Sequence, residues 1–127
     1  MLTRVPRFLL AFCSLLMGAG SVMHALAFHR AQSVVRVSQL PPFFGNSFKS
    51  LWLGDSTTML ALAVIFGVIA IRPAVATRPL VLLIALIPAA TAVLLYVFLG
   101  NFFAGHIHLA TATAAFLAGL RFPGVRG

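Results

Sequence analysis

Residues 80–99 read LVLLIALIPAATAVLLYVFL, a run with no charged side chain. As an α-helix it is about 30 Å long, which matches the hydrocarbon core of a bilayer. Working outward, three more apolar runs of similar length occupy residues 8–28, 52–71 and 102–120. The chain is therefore expected to be all-α, an integral membrane four-helix transmembrane bundle forming a single membrane domain over residues 1–127. Composition agrees, with 61% hydrophobic and 8% charged residues. A soluble domain carries roughly 25% charged residues, and this chain has too little polar surface to cover a core in water.

The formal net charge of +8 would point to nucleic acid in a soluble protein. Here the cations flank the apolar runs, where they act as topology signals and contacts to phosphate headgroups. Membrane lipids are the expected partners, and nucleic acid is not. Arg4, Arg7, Arg72, Arg78, Arg121 and Arg126 fall on one side of a four-span arrangement, and Arg30, Arg36 and Lys49 on the other. Because Lys and Arg accumulate in cytoplasmic loops, both termini are expected in the cytoplasm. A long loop near residues 29–51 and a tight turn at Gly100 and Asn101 then face outward. The Ala- and Arg-rich, Lys-poor usage fits a bacterial cytoplasmic (inner) membrane.

Arg4, Arg7 and the small-x-small Ala25-Leu26-Ala27 have the form of a secretory signal, yet the apolar run continues through Phe28, longer than a signal core. The first span is expected to stay. Cys13, the lone cysteine, lies in mid-span and reads as a packing residue. Phe12 stands where a lipoprotein signal has a small residue.

Helices in lipid associate through close backbone approach, so small residues at helix-contact spacing mark their contact faces. Ser14, Gly18 and Ser21 do so in the first span, Ala63 and Gly67 in the second, and Thr111, Ala115 and Gly119 in the fourth. These faces serve packing within the chain or docking of another membrane subunit. Pro88 lacks the N–H that would bond the Ile84 carbonyl, so a bend is expected there with Thr91 close by. Pro79 suits a first helical turn.

The chemistry-bearing residues gather on the expected outer side: His24, His29, Lys49, Trp52, Asp55, His106 and His108. Asp55 is the only acidic residue, which excludes glycosidase pairs and multi-Glu di-iron sites. Proton-coupled export of the kind used by small multidrug exporters needs a mid-membrane carboxylate, and these spans hold none. Asp55-Ser56-Thr57-Thr58 is expected to cap the second helix. Lys49 sits about 240° around a helix from Asp55, so the two pair only if the helix begins between them.

Three chemical readings apply to the histidines. His106 and His108 point about 200° apart on a helix and do not share one ion easily, which leaves His24, one of His106 or His108, and Asp55 as a metal-ligand set, with His24 and His108 the candidates named first. Haem is the second: His24 and His108 approach from different helices, with Gly20 and Ala104 one turn away leaving room for a flat macrocycle. A quinone or lipid held near the histidines and Trp52 is the third. The plain alternative places His and Trp at the headgroup interface, bonded to carbonyls or water.

In the outer segment, Pro41 and Pro42 break any helix and Gly45-Asn46 signals a turn. Phe48, Leu51 and Trp52 then follow at helical spacing, as in a short interfacial segment. Phe43 and Phe44 either cover the bundle or rest in lipid. No Gly-x-Ser-x-Gly elbow, phosphate loop or Cys-x-x-Cys is present, and nothing names a reaction. Two functions remain: an accessory or assembly subunit contacting a larger membrane-protein complex, or a small-molecule binder holding haem, quinone or lipid at the outer rim.

Overall fold

A computed structural model describes residues 4–122. It contains α1 (Arg4–Val37), α2 (Pro42–Ile71), a 3-10 turn (Pro73–Val75), α3 (Arg78–Leu99) and α4 (Phe103–Leu120). All four helices are long and apolar enough to cross a membrane. Their outward faces carry Leu15, Leu26, Leu83, Val93 and Phe98 in exposed positions, a surface that suits hydrocarbon better than water and suggests a multi-pass membrane protein. Arg126 lies outside the described residues.

Each helix runs antiparallel to the next. α1 packs against α2 and α4, and α3 packs against α4; α2 and α3 make almost no close backbone approach. The core between them is one cluster that includes Leu10, Cys13 and Met17 of α1, Phe66 of α2, Val81 and Ala85 of α3, and Ala115 of α4. The small residues lie within these contacts. Ser14 donates to the Ala63 carbonyl (2.7 Å), Ser21 to that of Ser56 (2.8 Å), and the Cys13 thiol to that of Thr111 (3.4 Å). A Cβ on Gly18 would lie 3.8 Å from that of Ala63, and one on Gly67 would lie 3.0 Å from the Ser14 hydroxyl. Thr111, Ala115 and Gly119 are buried, and a Cβ on Gly119 would meet Leu82 at 2.6 Å. These small-residue faces are occupied by the chain's own helices.

The long loop expected over residues 29–51 is mostly helix. α1 continues to Val37 and α2 starts at Pro42, leaving only Ser38–Pro41 between them. An apolar run ends where hydrocarbon ends, but a helix ends only where the backbone is broken. Between Phe28 and Val37 there is no Gly or Pro, whereas Gln39 has φ 53° and Pro41 begins the next segment. Pro42 takes the first helical position, where its missing N–H leaves no bond unmade. Gly45 and Asn46 therefore belong to a helix and not to a turn. Gly45 is buried because α1 passes close by; a Cβ there would lie 3.0 Å from Val35 Cγ1. With 34 and 30 residues, α1 and α2 are about 51 and 45 Å long, so their joined ends form a helical hairpin reaching past a 30 Å layer.

This extension also overturns the expected cap at Asp55, which lies well inside α2. The hydroxyls beside it bond back along their own helix: Thr57 and Thr58 donate to the Gly54 carbonyl (2.8 and 2.9 Å), as short polar side chains do within helices. α3 continues through Pro88, which is buried. Thr91 donates to the Ile87 carbonyl (3.0 Å) and so does not serve Ile84. The α3–α4 turn depends on Gly100, whose φ of 66° and ψ of −141° favour a residue without a side chain.

Candidate functional site

Where the hairpin meets the bundle, side chains from all four helices surround a cavity of about 280 Å³. Helical spacing explains the membership of its walls. Gly20, His24 and Ala27 share one face of α1. Trp52, Asp55 and Met59 share one face of α2, Leu95 and Leu99 one face of α3, and Ala104 and His108 one face of α4. Phe102 and Phe103, at the start of α4, complete the rim. The lining is almost entirely apolar, with His24, Asp55 and His108 as its titratable members.

His24 is held from several directions. Its ring stacks on Trp52 with centroids 4.3 Å apart and planes 13° from parallel. The Trp52 indole N–H donates to the His24 carbonyl (2.8 Å), which ties the two helices beneath the stack. Nδ1 lies 2.9 Å from the Ser56 hydroxyl, and Nε2 lies 3.7 Å from an Asp55 carboxylate oxygen. The Ser56 hydroxyl also donates to the Trp52 carbonyl (3.3 Å), so the direction of its bond with Nδ1 follows the imidazole tautomer, and the tautomer with its hydrogen on Nε2 directs it toward the chain's only carboxylate. The separation is too long for a hydrogen bond, so Asp55 acts on His24 by charge and leaves its remaining lone pairs available.

His108 stands opposite in character. It is 2% exposed, and its Nδ1 is buried with no hydrogen-bond partner. A buried polar atom in that condition costs about 1–3 kcal/mol, and native structures hold few of them. The same residue contributes to the cavity wall.

The remaining rim residues go elsewhere. His106 points away from His108 to the exposed side, where the Tyr96 hydroxyl is 2.7 Å from Nδ1 and Asn101 Oδ1 is 2.7 Å from Nε2. Because Asn101 Oδ1 only accepts, the hydrogen sits on Nε2 and Tyr96 donates to Nδ1. This chain of bonds joins α3 to α4 across the turn. His29 is exposed on α1, and neither it nor Lys49 lines the cavity. Asp55 faces His24 and not Lys49, as expected once the helix is continuous through both positions.

Ser56 and Met59 have roles the sequence reading missed. Ser56 anchors His24, and Met59 packs against Gly20 so tightly that a Cβ there would run into its terminal methyl. A helix starting at Pro42 places Trp52, Asp55 or Ser56, and Met59 at i, i+3 or i+4, and i+7; the proline pair was the available signal. Met59 also fills the space above Gly20 where a macrocycle was expected to lie. Among the described residues, no group of three or more His, Cys, Asp or Glu is arranged to hold a metal ion.

No protein-family model, curated protein or solved structure matches the chain.

Proposed function

We propose that this chain is a single-domain, four-span protein of a bacterial inner membrane, with both ends in the cytoplasm, that binds a small neutral amphiphile of the quinone class at its outer end. The observation that carries the reading is the buried, unpartnered Nδ1 of His108 beside a cavity that also holds the His24–Asp55 pair. An apolar ring bearing carbonyl oxygens is complementary to such walls. One oxygen accepts from His108, another from His24 Nε2–H, and the ring lies among Trp52, Phe103 and Ile107. A lipid phosphate is a poor match, since no Lys or Arg lines the cavity and its one charged wall is a carboxylate.

Trp52 is the only tryptophan and stacks on His24, so it reports on the cavity without a label. Titrating the purified protein in detergent with a short-chain benzoquinone is expected to quench its fluorescence along a saturable, single-site curve. Quenching that rises linearly with quinone would show collision and refute the reading.

A second reading, the accessory or assembly subunit of a larger membrane complex, has its own support in the hairpin. Val37, Phe43, Phe44 and Leu51 are exposed there, beside Arg30, Arg36 and Lys49 and with no carboxylate. Since the small-residue faces are occupied within the chain, a partner is offered this hairpin, whose exposed surface is both apolar and basic. Phe43→Ser with Phe44→Ser is expected to shift the chain from a large to a small species on native gels of solubilised membranes. An unchanged migration would remove this reading.

A further inference from the structure

We infer that the cavity selects the reduced, dihydroxy form of a quinone over the dione, and that Asp55 is the residue that makes the distinction. This selectivity rests on the binding function proposed above and acts at the same site.

The cavity wall holds few hydrogen-bonding groups. Its polar side chains are those of His24, Trp52, Asp55 and His108, and every other lining residue is Gly, Ala, Met, Leu, Ile or Phe. The Trp52 indole N–H is already given to the His24 carbonyl (2.8 Å). His24 Nδ1 is taken up with the Ser56 hydroxyl (2.9 Å). What stays free for a ligand is Nε2 of His24, Nδ1 of His108 and the Asp55 carboxylate.

These three differ in how firmly their roles are set. A neutral imidazole nitrogen donates in one tautomer and accepts in the other, so each histidine can meet either a hydroxyl or a carbonyl. An ionised carboxylate only accepts. Asp55 is the only acid in the chain, and no Lys or Arg lines the cavity to supply it with a donor. His24 Nε2 stands 3.7 Å from its Oδ2, beyond hydrogen-bond reach.

A carboxylate that gives up water to a ligand needs a donor in return, or its lone pairs lose hydration without compensation. A hydroquinone brings that donor and a dione does not. With the hydrogen of His24 on Nε2, one ligand hydroxyl can accept from the imidazole and donate its own hydrogen to Asp55 in a charge-assisted bond. With the hydrogen on Nδ1, Nε2 and Asp55 are both acceptors, and a hydroxyl again suits them. A carbonyl oxygen in the same place sets its lone pairs against the carboxylate in either case. Sites that hydrogen-bond a hydroxyl reject analogues lacking it for this reason. The Asp55 side chain keeps 37% of its surface exposed, so remaining hydration softens the penalty, and the expected preference is about tenfold.

The test uses the full chain in detergent, under argon at neutral pH, titrated calorimetrically with tetramethyl-p-benzoquinone and with its hydroquinone. The hydroquinone is expected to bind about tenfold more tightly. Its dimethyl ether, which lacks both hydroxyl hydrogens, is expected to lose that advantage. In Asp55→Asn, whose amide offers N–H donors to a carbonyl, the preference is expected to fall below about threefold as the dione gains affinity. A dione or an ether that binds the parent chain as tightly as the hydroquinone would overturn the inference, as would a folded Asp55→Asn chain that keeps the full preference. If Asp55→Asn does not fold, the comparison of the three ligands on the parent chain decides alone. Saturable binding of quinone and hydroquinone without preference sinks the selectivity and leaves the binding reading standing, while saturable binding of neither sinks the reading itself.

Discussion

His108→Leu is expected to weaken quinone binding about tenfold or more, equivalent to at least ~1.4 kcal/mol, while leaving the bundle as stable as before or more so. The two effects have opposite signs for one reason. In the unliganded chain the His108 Nδ1 is buried without a partner, so an apolar side chain of similar bulk removes an unsatisfied atom from the interior. In the complex, the same substitution removes the donor that the ligand would use. Saturation of Trp52 quenching measures the first quantity, and the melting temperature in detergent the second. A variant that binds as tightly as the parent would detach His108 from the site, and one that unfolds would make it a packing residue. His106→Leu is the control, since that ring lies outside the cavity and its loss is expected to leave quinone affinity unchanged.

The second large effect is structural. Phe66→Ala is expected to cost about 3 kcal/mol of stability, the lower end of the range for truncating a buried aromatic, because the hydrocarbon reference in lipid removes part of the transfer term while the packing loss remains. Phe66 is 0% exposed and shares a core with residues of every other helix. Phe98, at 78% exposure, provides the comparison, and Phe98→Ala is expected to change stability by a few tenths of a kcal/mol at most. Unfolding in graded denaturing detergent measures both. Equal effects from the two substitutions would mean that the bundle packs differently from the arrangement described here.

The residues show why some features could be read from the chain and others could not. The run at 80–99 and its three counterparts hold a single charged residue between them, Asp55, and each lies within an observed helix except for Phe102, one residue before α4. Helix ends were harder. The polar stretch His29–Val37 looks like loop by hydropathy, yet nothing in it breaks a helix, and Gly45 looks like a turn until α1 is seen passing beside it. Asp55 was misread in consequence, because a helix assumed to begin near residue 52 makes it a cap, whereas one beginning at Pro42 turns it inward beside His24. His106 and His108 illustrate the limit for the site. Their spacing required them to point in different directions, but only the placement of α1 and α3 on either side of α4 decided which of them became buried.

What the amino-acid order determined by itself was the number of apolar helices and, through their alternating direction, the gathering of the histidines and the lone carboxylate toward one end. Both follow from properties read along a line: hydropathy, spacing and parity. The tertiary structure decided which side chains face one another, because that depends on the lateral order of helices, and no one-dimensional pattern encodes it. With α1 between α2 and α4, the bonds fall on every junction except α2–α3, and the cavity draws a wall from each of the four helices.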